Sequence, residues 1–308
     1  MKENPLVSIL VTNYNNADYI VESLDSAIGQ TYTNIEIVVV DDKSTDDSVA
    51  VVRNYIDQHP DFRFTLYVSP KNAGCPASKR KSVELSCGDY FLFLDSDDKM
   101  SEDAVETLLA VMLGEKRYSI VYSSQYLCNE KLVPLGRSLH CGPIPEGKSN
   151  LTSKTGHVSY LTLCSRECYD QTLGFDVNAG LAEDQDFYFK MEEVAPVCYI
   201  DLPLYYYRKH DHNISYNASS TVRNQYWLLK AKTEAYHRRK RSHSKVPNLT
   251  YRELLAIRLD YHITNASFCR AEKKPWLSEF LKVLLYTPIS VRKGLRGIKT
   301  ICSRKKVE

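Results

Sequence analysis

The chain has 308 residues, 43% of them hydrophobic and 25% charged, which is long enough to bury a full core and too apolar for a disordered tail. Its formal net charge of +2 conceals an asymmetry: residues 221–308 hold 21 Lys and Arg against 6 Asp and Glu, and residues 1–220 hold 19 against 32. An acidic body suited to cations is thus joined to a basic tail suited to an anionic surface.

Apolar, β-branched runs predict strands over Leu6–Thr12, Ile35–Val40, Phe64–Val68, Tyr90–Leu94 and Ser119–Tyr122. Helix-like segments lie between them at Asp18–Ile28, Asp46–Gln58, Ala77–Leu85 and Ser101–Leu113, with Ser44 or Thr45 and Ser101 as candidate N-caps. The alternation predicts an α/β fold, an open sheet flanked by crossover helices, whose ligands lie beyond the carboxyl ends of the strands. From Gln125 to Gly156 the periodicity gives way to Gly, Pro and Ser, the signature of a long loop over the mouth of the sheet. A helix near Asp184–Glu193, a short strand near Val197–Ile200 and the aromatic run Tyr205–Tyr207 follow. From Thr221 onward the pattern is helical and basic, so the expected division is an α/β domain over 1–220 and a helical extension over 221–308.

The nine cysteines show no CxxC spacing, and Met1 to Pro5 leads straight into a strand without a leader-like apolar stretch. Free thiols in a reducing cytosol are therefore expected.

The first strand ends in Thr12-Asn13-Tyr14-Asn15-Asn16, without the glycines that let a dinucleotide pyrophosphate sit on a helix N-terminus, which argues against NAD and FAD. The second ends in Asp41-Asp42-Lys43-Ser44-Thr45-Asp46. Those carboxylates either accept hydrogen bonds from a base or ribose or form a solvated turn that caps the next helix. The fourth strand, almost wholly apolar from Tyr90 to Leu94, breaks into Asp95-Ser96-Asp97-Asp98. Three carboxylates at the end of a buried strand raise one another's pKa unless a cation sits among them, and hard oxygen ligands suit Mg2+ or Mn2+, which bridge phosphates. A calcium-loop reading fails because Met100 stands where its glycine is required. Further on, Glu183-Asp184 sits where a loop meets a helix, a position that holds a carboxylate ionised.

In their order, these motifs resemble the family 2 glycosyltransferases, inverting enzymes of the GT-A fold, over about residues 6–215. The likeness rests on Val7 to Asn15, Gln30-Thr31-Tyr32, Val40 to Asp46, Asp95-Ser96-Asp97, Glu183-Asp184 and Tyr207-Arg208-Lys209-His210. It implies that Thr12 and Tyr14 border the nucleotide, that Asp42 reads a uracil, and that Asp95 and Asp97 form the metal-binding DxD motif, with Asp97 the direct ligand of Mn2+ or Mg2+. It also implies that Asp184 is the catalytic base, that Arg208 meets the donor diphosphate and that His210 adds a metal ligand. Lys79 stands where the family has arginine, keeping the charge for the donor but losing the bidentate fork, and Lys43 replaces the usual glycine of the DDGS turn.

The implied reaction moves a sugar from a nucleotide diphosphate donor, a UDP-sugar on the Asp42 reading, to a hydroxyl of a glycan or lipid-linked acceptor in cell-surface polysaccharide synthesis. Two other readings stand beside it: a nucleotidyltransferase, which would want a Gly-rich phosphate loop after the first strand, and a non-catalytic sugar-nucleotide binder of the same fold. Nucleic acid is not an expected partner, because no interleaved reading motif accompanies the basic tail. The tail itself, with Trp276 to Tyr286 far short of a membrane span, is either a subdomain packed on the catalytic domain or a helix lying on an anionic leaflet. The second reading would place the enzyme at the inner face of the plasma membrane.

Overall fold

The computed structural model describes residues 4–139, 141–155, 157–159, 161–210, 218–287 and 290–302. The chain divides into two compact units, residues 1–211 and 212–308.

The first unit is a mixed sheet. Its strands are β1 (Val7–Asn13), β2 (Ile35–Asp41), β3 (Phe64–Val68), β4 (Tyr90–Asp95), β5 (Lys99–Met100), β6 (Ile120–Cys128), β7 (Pro134–Arg137), β8 (Thr162–Ser165) and β9 (Val197–Arg208). They lie in the order β3-β2-β1-β4-β8-β6-β9-β5, with β7 paired to β6. The strands β1 to β4 run parallel, as their near-continuous apolar sequences require of strands covered on both faces. Alternate residues feed the two covering layers. Ile9, Val11, Ile37 and Val39 join α1 (Ile20–Ile28), α2 (Ser48–Gln58) and α4 (Ala104–Met112) on one face. Leu10, Val38 and Val40 join α3 (Cys75–Leu85), α5 (Arg166–Tyr169) and α6 (Glu183–Val194) on the other. Each such side chain, fully buried, contributes about 1.5–3 kcal/mol.

Several local expectations are corrected. Ser44, Thr45 and Ser101 are not N-caps: α2 follows Asp47 and α4 follows Asp103, neither with a side-chain cap. Ser44 is instead drawn into the turn after β2, where its hydroxyl donates to Asp41. Part of the expected mouth loop is strand, since β6 runs on to Cys128 and pairs with β7. The two aromatic-rich pieces near residue 200 are one strand, β9, which bulges opposite Ser123–Gln125. Pro203 lies in the bulge, where a missing N–H breaks no ladder, and the interruption hides the strand from a periodicity search. All nine cysteines are free thiols.

The second unit comprises α7 (Ala218–Arg241), α8 (Tyr251–Ala271), α9 (Leu277–Tyr286) and α10 (Val291–Cys302). A capping box starts α8, with Thr250 accepting from the Glu253 N–H and Glu253 accepting from the Thr250 N–H. Leu259, Ala266, Val283 and Ile301 form its core. At Gly297 an added Cβ would meet the Ile263 side chain at 2.4 Å, so α10 approaches α8 over a glycine. Among the described residues no helix is long and apolar enough to cross a membrane.

Candidate active site

The carboxyl ends of β1, β2 and β4 form the floor of the site. Thr12 lies between Val40 of β2 and Asp95 of β4 in the sheet register, and Tyr14 stands at the rim, 46% exposed. The two aspartates after β2 divide their work. Asp41 builds the turn, its carboxylate accepting from the Ser44 N–H (2.8 Å), the Ser44 hydroxyl (2.6 Å) and the Asn13 amide (2.8 Å). Asp42 holds the loop that leads into α3, accepting from the Ala73 and Gly74 N–H groups at 2.8 and 2.7 Å. A carboxylate offers about four lone-pair positions, so these two bonds leave acceptor capacity on Asp42, which is 4% exposed. Lys43, in the place of glycine, still adopts the left-handed backbone, with φ of 65°, and the turn keeps a glycine-like shape at the cost of strain.

The acidic turn after β4 is clamped from three sides. The Asp98 N–H donates to the Asp95 carbonyl (3.1 Å), the Asp95 N–H donates to the Tyr205 hydroxyl (3.2 Å) and the Asn16 amide donates to Ser96 (2.8 Å). The short strand β5 then pairs Lys99 and Met100 with Tyr206 and Tyr205, fixing the turn against the end of β9. There the Arg208 N–H donates to Asp98 at 2.7 Å.

Arg208 does not reach out toward a diphosphate. Only 2% exposed, its guanidinium donates at 2.5 Å each to the carbonyls of Asp97 and Glu130 and to the Glu22 carboxylate, and it lies 4.7 Å over the Tyr19 ring. It organises the acidic turn from beneath. His210, two residues on, places Nε2 at 2.9 Å from Asp97 Oδ2, with its ring 4.9 Å from that of Tyr19. Burial, with Asp97 and Asp95 as neighbours, pushes the Asp98 carboxyl well above the usual range. Burial also raises Asp95, against the pull of Lys79 and with the push of Asp97 and Glu183.

Beside the turn a cavity brings together Lys79, Asp95 and Asp184 against an aromatic wall that includes Phe93, Phe187 and Tyr188. Lys79 is on α3 and Asp184 in the first turn of α6. Lys79 donates to Glu183 at 3.1 Å, both side chains largely buried. Burial favours the neutral amine of Lys79, yet its anionic surroundings, Glu183, Asp95 and Asp184 among them, hold it charged. Burial and then Glu183 push Asp184 up to about 6, opposed by Lys79 and by the Gln185 N–H, which donates to it at 2.7 Å. A carboxylate with a pKa near neutrality, ionised but basic, can take a proton from a hydroxyl.

The chain therefore gathers Lys79, Asp95 and Asp184 in one cavity and Asp97 with His210 at the adjoining turn, while Arg208 lies below them. Glu22, Tyr19, Glu183 and Tyr205 were not singled out by the sequence reading as site residues. Glu183 carried a signal, as the neighbour of Asp184; the others are joined to the site by contacts more than 100 residues apart, as in Tyr19 with Glu130 or Asp95 with Tyr205.

The family model for glycosyl transferase family 2 matches residues 8–169, more than half of the chain. The chain belongs to this family. Among curated relatives of this glycosyltransferase, chondroitin synthase of Escherichia coli is 32% identical over 218 residues, 70% of this chain and 30% of that protein. Hyaluronan synthase of Pasteurella multocida is 29% identical over 212 residues, 68% of this chain and 21% of that one. The chain thus covers less than a third of the length of these synthases. The putative teichuronic acid biosynthesis glycosyltransferase TuaG of Bacillus subtilis is 32% identical over 136 residues, 44% of this chain and 53% of TuaG.

Solved structures share the architecture. Residues 1–349 of S. aureus TarS, in complex with UDP-GlcNAc, align with a TM-score of 0.65 at 19% identity, covering 96% of this chain and 90% of that one. The mannosyltransferase PcManGT of Pyrobaculum calidifontis, in complex with GDP-Man and Mn2+, aligns at 0.61 and 18%, covering 97% and 86%. The fold is the expected GT-A sheet with helices on both faces and a helical C-terminal region.

For a glycosyltransferase of this family, the donor set at the acidic turn can be tested for a divalent ion. Asp97 and His210 bring one carboxylate oxygen and one imidazole nitrogen into contact; the carboxylate suits Mn2+ or Mg2+, and the imidazole, a softer ligand, favours Mn2+ over Mg2+. Among the described residues no group of three or more His, Cys, Asp or Glu is arranged to hold an ion alone. The residues fit an ion that takes its remaining ligands from phosphates and water, the usual manner of Mg2+ at nucleotide sites.

Proposed function

We propose that the chain is an inverting, metal-dependent glycosyltransferase that transfers a sugar from a UDP-sugar to a hydroxyl of a glycan or lipid-linked acceptor in polysaccharide synthesis. The observation that carries this reading is the cavity in which the raised carboxyl of Asp184 faces Asp95 and Lys79 beside the Asp97–His210 pair. The names of the relatives, two polysaccharide synthases and a teichuronic acid biosynthesis glycosyltransferase, support the substrate class. The TarS complex with UDP-GlcNAc supports a uridine donor.

In this mechanism the nucleotide lies along the strand ends, with Thr12 and Tyr14 at its border and the remaining acceptor capacity of Asp42 turned to the uracil N–H. Asp97 and His210 would hold Mn2+ or Mg2+, which when bound neutralises charge on the leaving diphosphate. Lys79, cationic within its ion pair with Glu183, and Asp95 border the sugar in the cavity. Arg208 acts as a positioning residue, holding Asp97 through its backbone carbonyl. Asp184 takes the proton of the acceptor hydroxyl as that oxygen attacks the anomeric carbon from the face opposite the leaving group, and one displacement inverts the configuration. Within this proposal residues 1–220 carry the chemistry and 221–308 form a basic extension, with the reaction at the cytoplasmic face of the membrane.

A thermal-shift screen of UDP-, GDP- and dTDP-sugars with and without Mn2+ tests the donor class, because a ligand stabilises the native state according to its occupancy. A shift specific to uridine and dependent on Mn2+ is expected. Equal shifts for all bases would remove Asp42 from its reading role, and retention of the donor's anomeric configuration in the product would exclude the single displacement.

A further inference from the structure

The helix α9 turns its two sides to different environments. Val283 is buried in the core of the helical unit, and Phe280 and Tyr286 pack against that core. On the other side Leu277, Leu281, Leu284 and Leu285 are 62%, 56%, 43% and 70% exposed. At about 3.6 residues per turn these four fall within an arc of roughly 100°, so they form one continuous apolar ridge. Single exposed leucines are ordinary, but four side by side on one short helix mark a contact surface.

The charge around the ridge indicates what it contacts. Between Glu279 and Glu308 the chain carries eight Lys and Arg and no acid. On α10, which packs against α9, Arg292, Arg296 and Lys299 are exposed and Lys293, also exposed, pairs with Asp260 of α8 at 2.6 Å, while Gly294, Gly297 and Ile301 are buried. The helix is thus split lengthwise into a buried small or apolar side and an outer side that carries the four cations, with Leu295, 58% exposed, among them. The exposed leucine ridge therefore stands next to a helix whose outer side is mainly cationic. It matches a fluid apolar layer beneath a negative surface.

We propose that the leucine ridge of α9, together with the cationic side of α10, is an insertion surface for an anionic lipid bilayer. The leucines enter the acyl boundary, and the cations lie among the headgroups. The proposal stands on the second unit alone and does not depend on the assignment of the catalytic residues.

The test is co-sedimentation of the full chain with vesicles of phosphatidylcholine, with and without about one third phosphatidylserine. Sedimentation only with the anionic vesicles, weakened by high salt, is expected. The double variant Leu281→Glu with Leu285→Glu, at exposed positions that leave the core intact, should lower partitioning at least about tenfold. Replacing Arg292, Arg296 and Lys299 with Gln should lower it roughly fivefold for each cation removed. As a gain of signal, Leu281→Trp should show blue-shifted fluorescence with anionic vesicles and not with neutral ones. Equal partitioning of the parent chain and the leucine double variant, or equal binding to neutral and anionic vesicles, overturns the proposal. Concentration-dependent self-association that the double variant abolishes, without vesicle binding, also overturns it and assigns the ridge to a second copy of the chain.

Discussion

The two units use charge in opposite ways. In the first, charges are turned inward: Asp41, Asp42, Asp98 and Arg208 are nearly inaccessible, and each is fixed by backbone or side-chain partners tens of residues away. In the second, Arg239 is buried in the same way, but the cations of α10 lie on the outside, where solvent screens them and, apart from Lys293 with its Asp260 partner, each acts nearly independently. Buried charges are costly to strand and therefore coupled to one another, whereas exposed charges add. Substitutions at the buried charges of the first unit should accordingly produce large effects confined to a few positions, and those at the α10 cations small ones.

The largest effect should come from Arg208→Met. It strands the backbone carbonyls of Asp97 and Glu130, while Glu22, half-exposed, turns to solvent, and should cost about 3 kcal/mol, read from the denaturant midpoint. A loss within experimental error would show that the clamp beneath the acidic turn is dispensable. Next, Asp184→Asn should lower turnover at least about a hundredfold while leaving the donor-induced thermal shift unchanged; near-normal turnover would remove Asp184 as the base.

A subtler effect concerns pH. With the Asp184 carboxyl held at about 6, kcat/KM should be full above that pH and fall about tenfold per unit below it, as the base becomes protonated. Lys79 opposes the upward shift of Asp184, so Lys79→Met should move this acidic limb to higher pH. A limb that stays in place or moves down would separate the two residues. Smaller still, Lys43→Gly relieves a left-handed backbone and should add up to about 1 kcal/mol of stability; a loss would mean that the lysine side chain has contacts worth more than the strain. In the second unit Thr250→Ala, which removes one half of a capping box, should cost about 1 kcal/mol in a thermal melt without altering turnover. A change in turnover there would break the contrast between the units.

Much of the first unit was legible because parallel strands covered on both faces are written as unbroken apolar runs. The strands from Val7 to Asp95 therefore fell within a residue of their expected bounds. The acidic ends of β2 and β4 were legible for the same reason, since carboxylates interrupt the apolar runs there, although at β2 one of them, Asp41, serves the turn itself. What failed was local. Ser44 has the chemistry of an N-cap, but its hydroxyl found a closer acceptor in Asp41. The strand Thr162–Ser165 is four residues long, too short for any periodicity to declare itself, and it forms because β4 and β6 offer edges on either side. At the site, the sequence marked Arg208 as a residue of consequence but assigned its guanidinium to a ligand, whereas the fold directs it to Glu22, 186 residues away.

The amino-acid order by itself determined the alternation of strand and helix, the places where carboxylates end buried strands, and the separation of an acidic body from a basic tail. These are properties of neighbouring residues and follow from side-chain period and composition. Only the tertiary structure decided which charge each carboxylate meets, that Lys79 reaches Glu183 across 104 residues, that Asp184 is raised by burial, and that four leucines of α9 share an exposed side. The energy of a charge or an apolar group depends on its partners and its access to water, and both are fixed by contacts between segments far apart in the chain.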